Sequence, residues 1–188
     1  MAAAVTGGAS ALLREQLTSR LYIPNPSAAL MRAALINGAR SQGVRKSGQG
    51  FGILDLGGTC LALRERTFKI RDEKSRLQEG QSRTYQFQVD DPSRPVKITL
   101  AWTDPEDDPG ADSALVNDLD LVVVDPNGKA YLGNDSENRG KTDSVNNVEQ
   151  VTIPDPKTGE YTIRVKASSI SSGSGQDFAL HMLDLAEN

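Results

Sequence analysis

The chain has 188 residues, 37 % of them apolar, a mean hydropathy of -0.43 and a net charge of -4; this fits one water-soluble domain, or a domain and a piece of another. One cysteine, Cys60, excludes an internal disulfide and a thiolate metal cluster, and one histidine, His181, excludes any site needing two imidazoles. The charge is uneven: residues 1–66 hold eight Lys/Arg against three Asp/Glu, residues 103–149 hold three against twelve, so the acidic part favours a cation over nucleic acid as partner.

The opening "MAAAVTGGASALLREQL" has no charged side chain before Arg14, and Ala, Leu, Arg, Glu and Gln predict a helix over 2–20. Apolar or tiny residues lie on every side of it, the pattern of a helix inside a larger body. It is too short to span a bilayer, and it lacks the basic flank of a signal peptide. In "YIPNPSAALMRAALINGAR" a second helix starts at Pro26 or Ser27 and stops at Gly38. "SQGVRKSGQGFGILDLGG" reads as glycine-rich loop with a short extended piece. Its "GQGFG" has no strand–turn–helix unit around it, so a dinucleotide loop is discarded.

From residue 61 the texture becomes extended. "TFKIR", "SRTYQFQV", "PVKITLAW", "DLDLVVV", "KAYLG", "VEQVTI", "GEYTIRVKA" and "DFALHML" are eight strand candidates separated by turn signals such as Pro126-Asn127-Gly128. Alternation of Tyr85, Phe87 and Val89, and of Tyr161, Ile163 and Val165, marks half-buried antiparallel strands. The expected fold is mainly β: an antiparallel jelly-roll or β-sandwich domain over 61–188, preceded by two helices in 1–60. The first 60 residues are too few to close a core of their own, so Leu12, Leu13, Leu17, Leu30 and Ile36 are expected to lack partners.

Chemistry concentrates in "AWTDPEDDPGADSALVNDLDLVVVDPNGKAYLGNDSENRG". Asp118 and Asp120 lie two apart on one strand and share a face. Adjacent carboxylates in a folded domain repel unless a cation, a donor or a proton lies between them. Asp104 follows the preceding strand and Asn134-Asp135 the next, so a meander would gather all five at one end. Such oxygen-only ligands suit calcium. Glu106, Asp107, Asp108 and Asp112 read as a solvated loop. Val145–Glu149 is read as supplying either further oxygen ligands or edge-strand hydrogen bonds. Asn134-Asp135-Ser136 is a formal glycosylation sequon. His181, among Phe178, Leu180 and Leu183, reads as structural, and Cys60 as a packed thiol.

Several motifs together resemble the subtilisin-like serine peptidases. "MAAAVTGGASALLRE" is similar to the segment that follows the nucleophile in Gly-Thr-Ser-Met-Ala-Thr-Pro, through Met1, Ala2, Gly8, Ala9, Ala11, Leu12 and Leu13. "PNPSAALMRAALINGAR" is similar to that family's next helix and "GQGFGILDL" to its glycine-rich turn. "LAWTD", "LVNDLDLVVVDPNG", "YLGN" and "NNVEQV" resemble one branch in which a jelly roll follows the catalytic domain. The resemblance implies a remnant of the catalytic domain at 1–60 and an accessory sandwich at 61–188. It also implies an extracellular location and contact with protein or peptide substrates only through the rest of the catalytic domain; no membrane or nucleic-acid partner is expected, since no stretch is long and apolar enough for a bilayer and no basic run is interleaved with aromatics. Ala4 stands where the family has proline. The family's nucleophilic serine would precede Met1, and its Asp and His lie further upstream, so no catalytic residue is present and the chain alone is expected to be inactive. Ser10 is no replacement, having no histidine base near it. The competing reading is a free-standing calcium-dependent binding module.

Overall fold

The computed structural model describes residues 1–42, 50–65, 68–107, 110, 115–135, 137 and 139–184. Helices α1 (Ala2–Ser19), α2 (Ala28–Asn37) and α3 (Leu56–Glu65) precede strands β1 (Phe68–Leu77), β2 (Ser82–Val89), β3 (Val96–Ala101), β4 (Asn117–Val124), β5 (Ala130–Leu132), β6 (Val148–Ile153), β7 (Gly159–Ile170) and β8 (Gln176–Asp184).

All eight expected strands form, and they roll up as a jelly roll. One sheet has the order β1-β8-β3-β6 and the other β2-β7-β4-β5. Strands equidistant from the two ends of the β region pair antiparallel: β1 with β8, β2 with β7, β3 with β6 and β4 with β5. That is the pattern of one long double ribbon folded over on itself. Alternation decides the faces. Val96, Ile98, Leu100 and Trp102 meet Leu119, Leu121, Val123, Ile163 and Val165 in a dry core between the sheets.

The β1-β8-β3-β6 sheet is covered on its second face as well. Leu13 and Leu17 of α1, Ala29, Leu30 and Ala34 of α2, and Leu63 of α3 pack with Ala179, Phe68 and Ile70 of the sheet. Small residues set the spacing: Ala33 of α2 lies against Ala101 and Val148. The expectation that the first 60 residues lack partners is therefore corrected. Leu13, Leu17 and Leu30 are wholly buried, Ile36 packs beside Ala33, and only Leu12 of the five stands out, 53 % exposed. The sheet, a longer-range partner than any sequence window contains, supplies the missing apolar surface. α1 itself is buried along one line, Ala9, Leu13 and Leu17, while residues 1–8 are exposed all round.

α2 begins as expected, with the Ser27 hydroxyl accepting from the Leu30 N–H at 3.0 Å. The same hydroxyl donates to the Asp72 carboxylate on β1, at 2.5 Å, which ties the helix layer to the sheet. α3 was not expected. Asp55 caps it, its carboxylate accepting from the Gly58 N–H at 2.8 Å, and the 60/61 division read from the sequence falls inside this helix. Of the "GQGFG" stretch, Gly48 and Gln49 lie outside the described residues, as do Asp108, Asp112 and Ser136 of the sequon.

Candidate functional site

The five residues expected to gather at one end separate into two kinds. Asp104 is spent on backbone: its two oxygens accept from the Val116 and Asn117 N–H groups, both at 2.8 Å, and so fasten the loop ahead of β4. Asp135 is likewise occupied, accepting from the Arg139 and Gly140 N–H groups at 2.8 Å. Those backbone donors hold its carboxyl below the usual range.

Asp118 and Asp120 do come together, and β6 brings a third carboxylate to them. Leu119, Leu121 and Val123 of β4 point into the core, which puts Asp118 and Asp120 on the opposite face. A register shift against β7 after Asp118 inserts Ser168, whose hydroxyl donates to Asp120 Oδ2. Glu149 shares its strand face with the core residues Val151 and Ile153. It is 1 % exposed, and its Oε2 accepts from the Leu121 N–H at 2.6 Å. That N–H would ordinarily pair with a neighbouring strand. β5 ends at Leu132, and Gly133 donates only to the Leu121 carbonyl. A side chain at 133 would collide with the Glu149 carboxylate, so glycine is what lets Glu149 complete the ladder.

Asn134 links the cluster to the following loop. Its backbone is in the left-handed region, φ 58°, which asparagine tolerates better than most residues. Its amide donates to Asp143 Oδ2 at 2.6 Å and to the Val148 carbonyl at 2.8 Å, and its oxygen accepts from the Gln150 N–H at 3.1 Å. Burial works to raise the Asp143 carboxyl, but the amides of Asn134 and Asn146 and the N–H groups of Val145 and Asn146 outweigh it and keep it ionised.

The remaining acids have too few donors: Asp120 has the Ser168 hydroxyl and Glu149 the Leu121 N–H, one oxygen each. Burial, then the charges of Asp120 and Asp143, push Asp118 up to about 6 against the pull of Lys166. Burial pushes Glu149 up to about 9, and the charges of Asp120, Asp143 and Asp118 reinforce it while the Leu121 N–H opposes. Asp118 Oδ1, Asp120 Oδ1 and Glu149 Oε1 are buried with no hydrogen-bond partner among the described residues. Three buried oxygens of like charge are costly, and something must answer them. A shared proton can do so between two carboxyls, and a cation can do so for all three. Among the described residues no group of three or more Asp, Glu, His or Cys side chains is placed so that it could hold a metal ion as it stands. An ion would have to draw these side chains inward and complete its shell with backbone carbonyls or water, which calcium's loose geometry permits.

Asp143 was outside the residues singled out in the sequence, and Glu149 was only one end of the Val145–Glu149 stretch, read as either oxygen ligands or edge-strand hydrogen bonds. The signal for Glu149 was present: in "VEQVTI" a carboxylate occupies the apolar face of a buried strand. His181 and Cys60 both sit as packed side chains. His181 is 1 % exposed, stacks on Phe68, and its Nδ1 accepts from the Asn37 amide at 2.7 Å. Cys60 is half-buried, and burial raises its thiol. No helix among the described residues is long and apolar enough to cross a membrane.

Comparison with known proteins fits this picture at the level of the domain. The family model of the bacterial pre-peptidase C-terminal domain matches residues 81–167, most of the jelly roll. The chain is similar to the serine protease/ABC transporter B family protein tagA of Dictyostelium discoideum, at 30 % identity over 90 % of this chain. It spans only 11 % of that protein's length. Among solved structures, the lipase BlEst2 of Bacillus licheniformis in propeptide form aligns over 63 % of this chain and 22 % of its own, at 14 % identity and a TM-score of 0.36. A protein of Sulfurospirillum deleyianum aligns over 64 % of this chain and 97 % of its own, at 12 % identity and a TM-score of 0.33. Likenesses that distant add nothing to the architecture described above.

Proposed function

We propose that this chain is the C-terminal portion of a secreted subtilisin-like serine endopeptidase, with α1–α3 closing the catalytic domain and the jelly roll serving as its accessory domain. One observation carries the reading: α1 is half docked. Ala9, Leu13 and Leu17 are buried on the sheet layer, while the apolar first two turns, with Val5 64 % exposed, are covered by nothing among the described residues. An apolar helix surface of that kind is ordinarily covered, and the rest of a peptidase is a cover of the right sort. The similarity to a serine protease runs through both the helical layer and the sandwich, and the family model names a domain associated with peptidases. On this reading bond cleavage belongs to the remainder of the enzyme. The helices transmit the sandwich's rigidity to it through the Asn37 contacts with His181 and Lys97 and the Ser27–Asp72 pair.

Calcium belongs to the same proposal. Asp118, Asp120 and Glu149 would hold the ion through their three unpartnered oxygens, and Asp143, anchored by Asn134, would add negative potential. The ion would supply charge neutralisation and a cross-link between β4 and β6, one strand from each sheet.

The coding frame immediately upstream of the Met1 codon tests the peptidase reading. Gly-Thr-Ser in frame before Met1, with Asp and His motifs further up, is the expected result. A stop codon and promoter at that point would overturn it. In keeping with the reading, this chain alone should neither hydrolyse casein nor be labelled by a serine-directed fluorophosphonate.

A further inference from the structure

The jelly roll is open on one side. There β6 is the outer strand of its sheet, and β5, only three residues long, is the outer strand of the other. The hydrogen bonds of Gln150 fix which way the edge of β6 points. Its carbonyl accepts from the Asn134 N–H at 3.0 Å, and its own N–H donates to Asn134 Oδ1 at 3.1 Å. Asn134 therefore acts as a single residue of an added strand. It then turns away through its left-handed backbone, and the Asp135 N–H returns to the Leu132 carbonyl.

Two residues further along β6, the strand period brings the N–H and C=O of Thr152 to the same edge. Thr152 is exposed and pairs with Lys97 on β3 in the same register class as Gln150 with Thr99. Its two backbone groups have no partner among the described residues. Pro154, next on that edge, has no N–H, so the bare site is one residue pair long. In front of it lies a cleft of about 640 Å³ lined by Tyr131, Leu132, Lys129, Thr152, Pro154 and Lys157, among others. Lys129 holds its ammonium 4.5 Å above the Tyr131 ring.

The unpaired strand edge selects an extended backbone as the occupant, and the two lysines at its rim offer contacts to a side chain. Of the acids lining the cleft, Asp125 accepts from the Asn127 and Lys129 N–H groups, and Asp135 from those of Arg139 and Gly140. Lys129 and Lys157 flank the open edge, and Asp125, Asp135 and Asp155 line the same cleft. We infer that this cleft binds an extended peptide segment as an added strand on β6. Its backbone would pair with Thr152, an apolar side chain would rest on Tyr131 and Leu132, and an acidic side chain would meet Lys129 and Lys157. Backbone pairing supplies affinity and the side-chain pockets supply selectivity, as in other strand-addition sites. Identifying the peptide with unfolded substrate of the enzyme rests on the peptidase reading, but the binding itself does not.

The test uses this chain labelled with ¹⁵N and the probe acetyl-Thr-Val-Glu-Val-Glu-Val-Thr-amide, followed by amide shifts. The Thr152 amide should shift and gain protection from hydrogen exchange. The same peptide N-methylated at alternate residues should bind about tenfold more weakly, the worth of one to two edge hydrogen bonds. Thr152→Pro, whose lost N–H serves no internal bond, should abolish binding without lowering the melting temperature. Lys129→Ala with Lys157→Ala should weaken binding of the acidic probe but not of its Gln-substituted version. No shift at Thr152 at millimolar peptide overturns the inference. So does equal binding of the N-methylated peptide, a measurement that stands even if Thr152→Pro fails to fold. Shifts at the cleft with a neutral oligosaccharide and none with peptide also overturn it.

Discussion

Two sets of carboxylates lie within one short stretch of chain and have opposite fates. Asp104 and Asp135 end on pairs of backbone N–H groups that satisfy their oxygens. Asp118, Asp120 and Glu149 are buried or half-buried and leave three oxygens unanswered. Composition does not separate the sets, because both are rich in Asp. Donor supply does. A loop can bend several of its own N–H groups onto an acid, whereas a strand commits most of its N–H groups to the ladder and spares only one here, that of Leu121, for Glu149. An acid on a covered strand must therefore find its counter-charge elsewhere.

The largest effect expected from breaking this contrast is at Glu149. Glu149→Ala removes the acceptor of the Leu121 N–H and empties a buried site, and should cost about 3 kcal/mol in urea unfolding. Glu149→Gln keeps the acceptor and drops the charge, so in chelator at pH 8 it should be more stable than the parent. Loss of stability in that variant would mean that burying this carboxyl carries no penalty at that pH.

Next comes pH. The carboxyl of Glu149 is raised from 4.5 to about 9 in the fold, so the folded state holds its proton more tightly than the unfolded chain. That stabilisation is present below pH 4.5 and is lost as pH climbs towards 9. Asp118, raised from 3.8 to about 6, acts in the same direction over the lower part of that span. His181 acts oppositely: burial lowers it from 6.5 to about 4, so its contribution is present above pH 6.5 and lost as pH falls towards 4. Melting curves in chelator should show both limbs. Glu149→Gln should flatten the alkaline one and His181→Gln the acidic one.

A smaller effect is expected at Asp104. Asp104→Ala frees two N–H groups beside β4 and should cost about 1–2 kcal/mol, equally with calcium or with chelator. The smallest is at Asp135. Asp135→Ala opens an exposed loop and should leave the melting temperature within error. A calcium-dependent loss at either position would move that residue into the other set.

The strands were legible in the sequence because alternation is local: Tyr85, Phe87 and Val89 declare a half-buried strand without reference to anything distant. The helix ends at Ser27 and Gly38 were legible for the same reason. α3 was hidden by Gly57-Gly58, which suggest loop, although Asp55 offered a cap. The docking of α1 and α2 was not legible, since Leu13 and Leu30 meet Ala179, which lies about 150 residues further along the chain. At the site, Asp118 and Asp120 followed from strand period. Glu149 joined them only through the jelly-roll topology, which places β6 across from β4. Asp143 arrived through Asn134, whose left-handed turn no strand pattern announces.

The central claim is that a cation answers the orphaned oxygens, and thermal unfolding of the full chain with calcium and with chelator tests it most directly. At free calcium about 100 times the dissociation constant, linkage supplies about 2.7 kcal/mol, which for a chain of this size is roughly 5–10 °C. Calcium should raise the melting temperature by that amount, and magnesium should do so less well. Asp118→Asn with Asp120→Asn should abolish the response and slightly raise the chelated protein's melting temperature. If chelator and calcium give the same curve and the double variant melts like the parent, the three carboxyls are held by shared protons and the calcium claim fails.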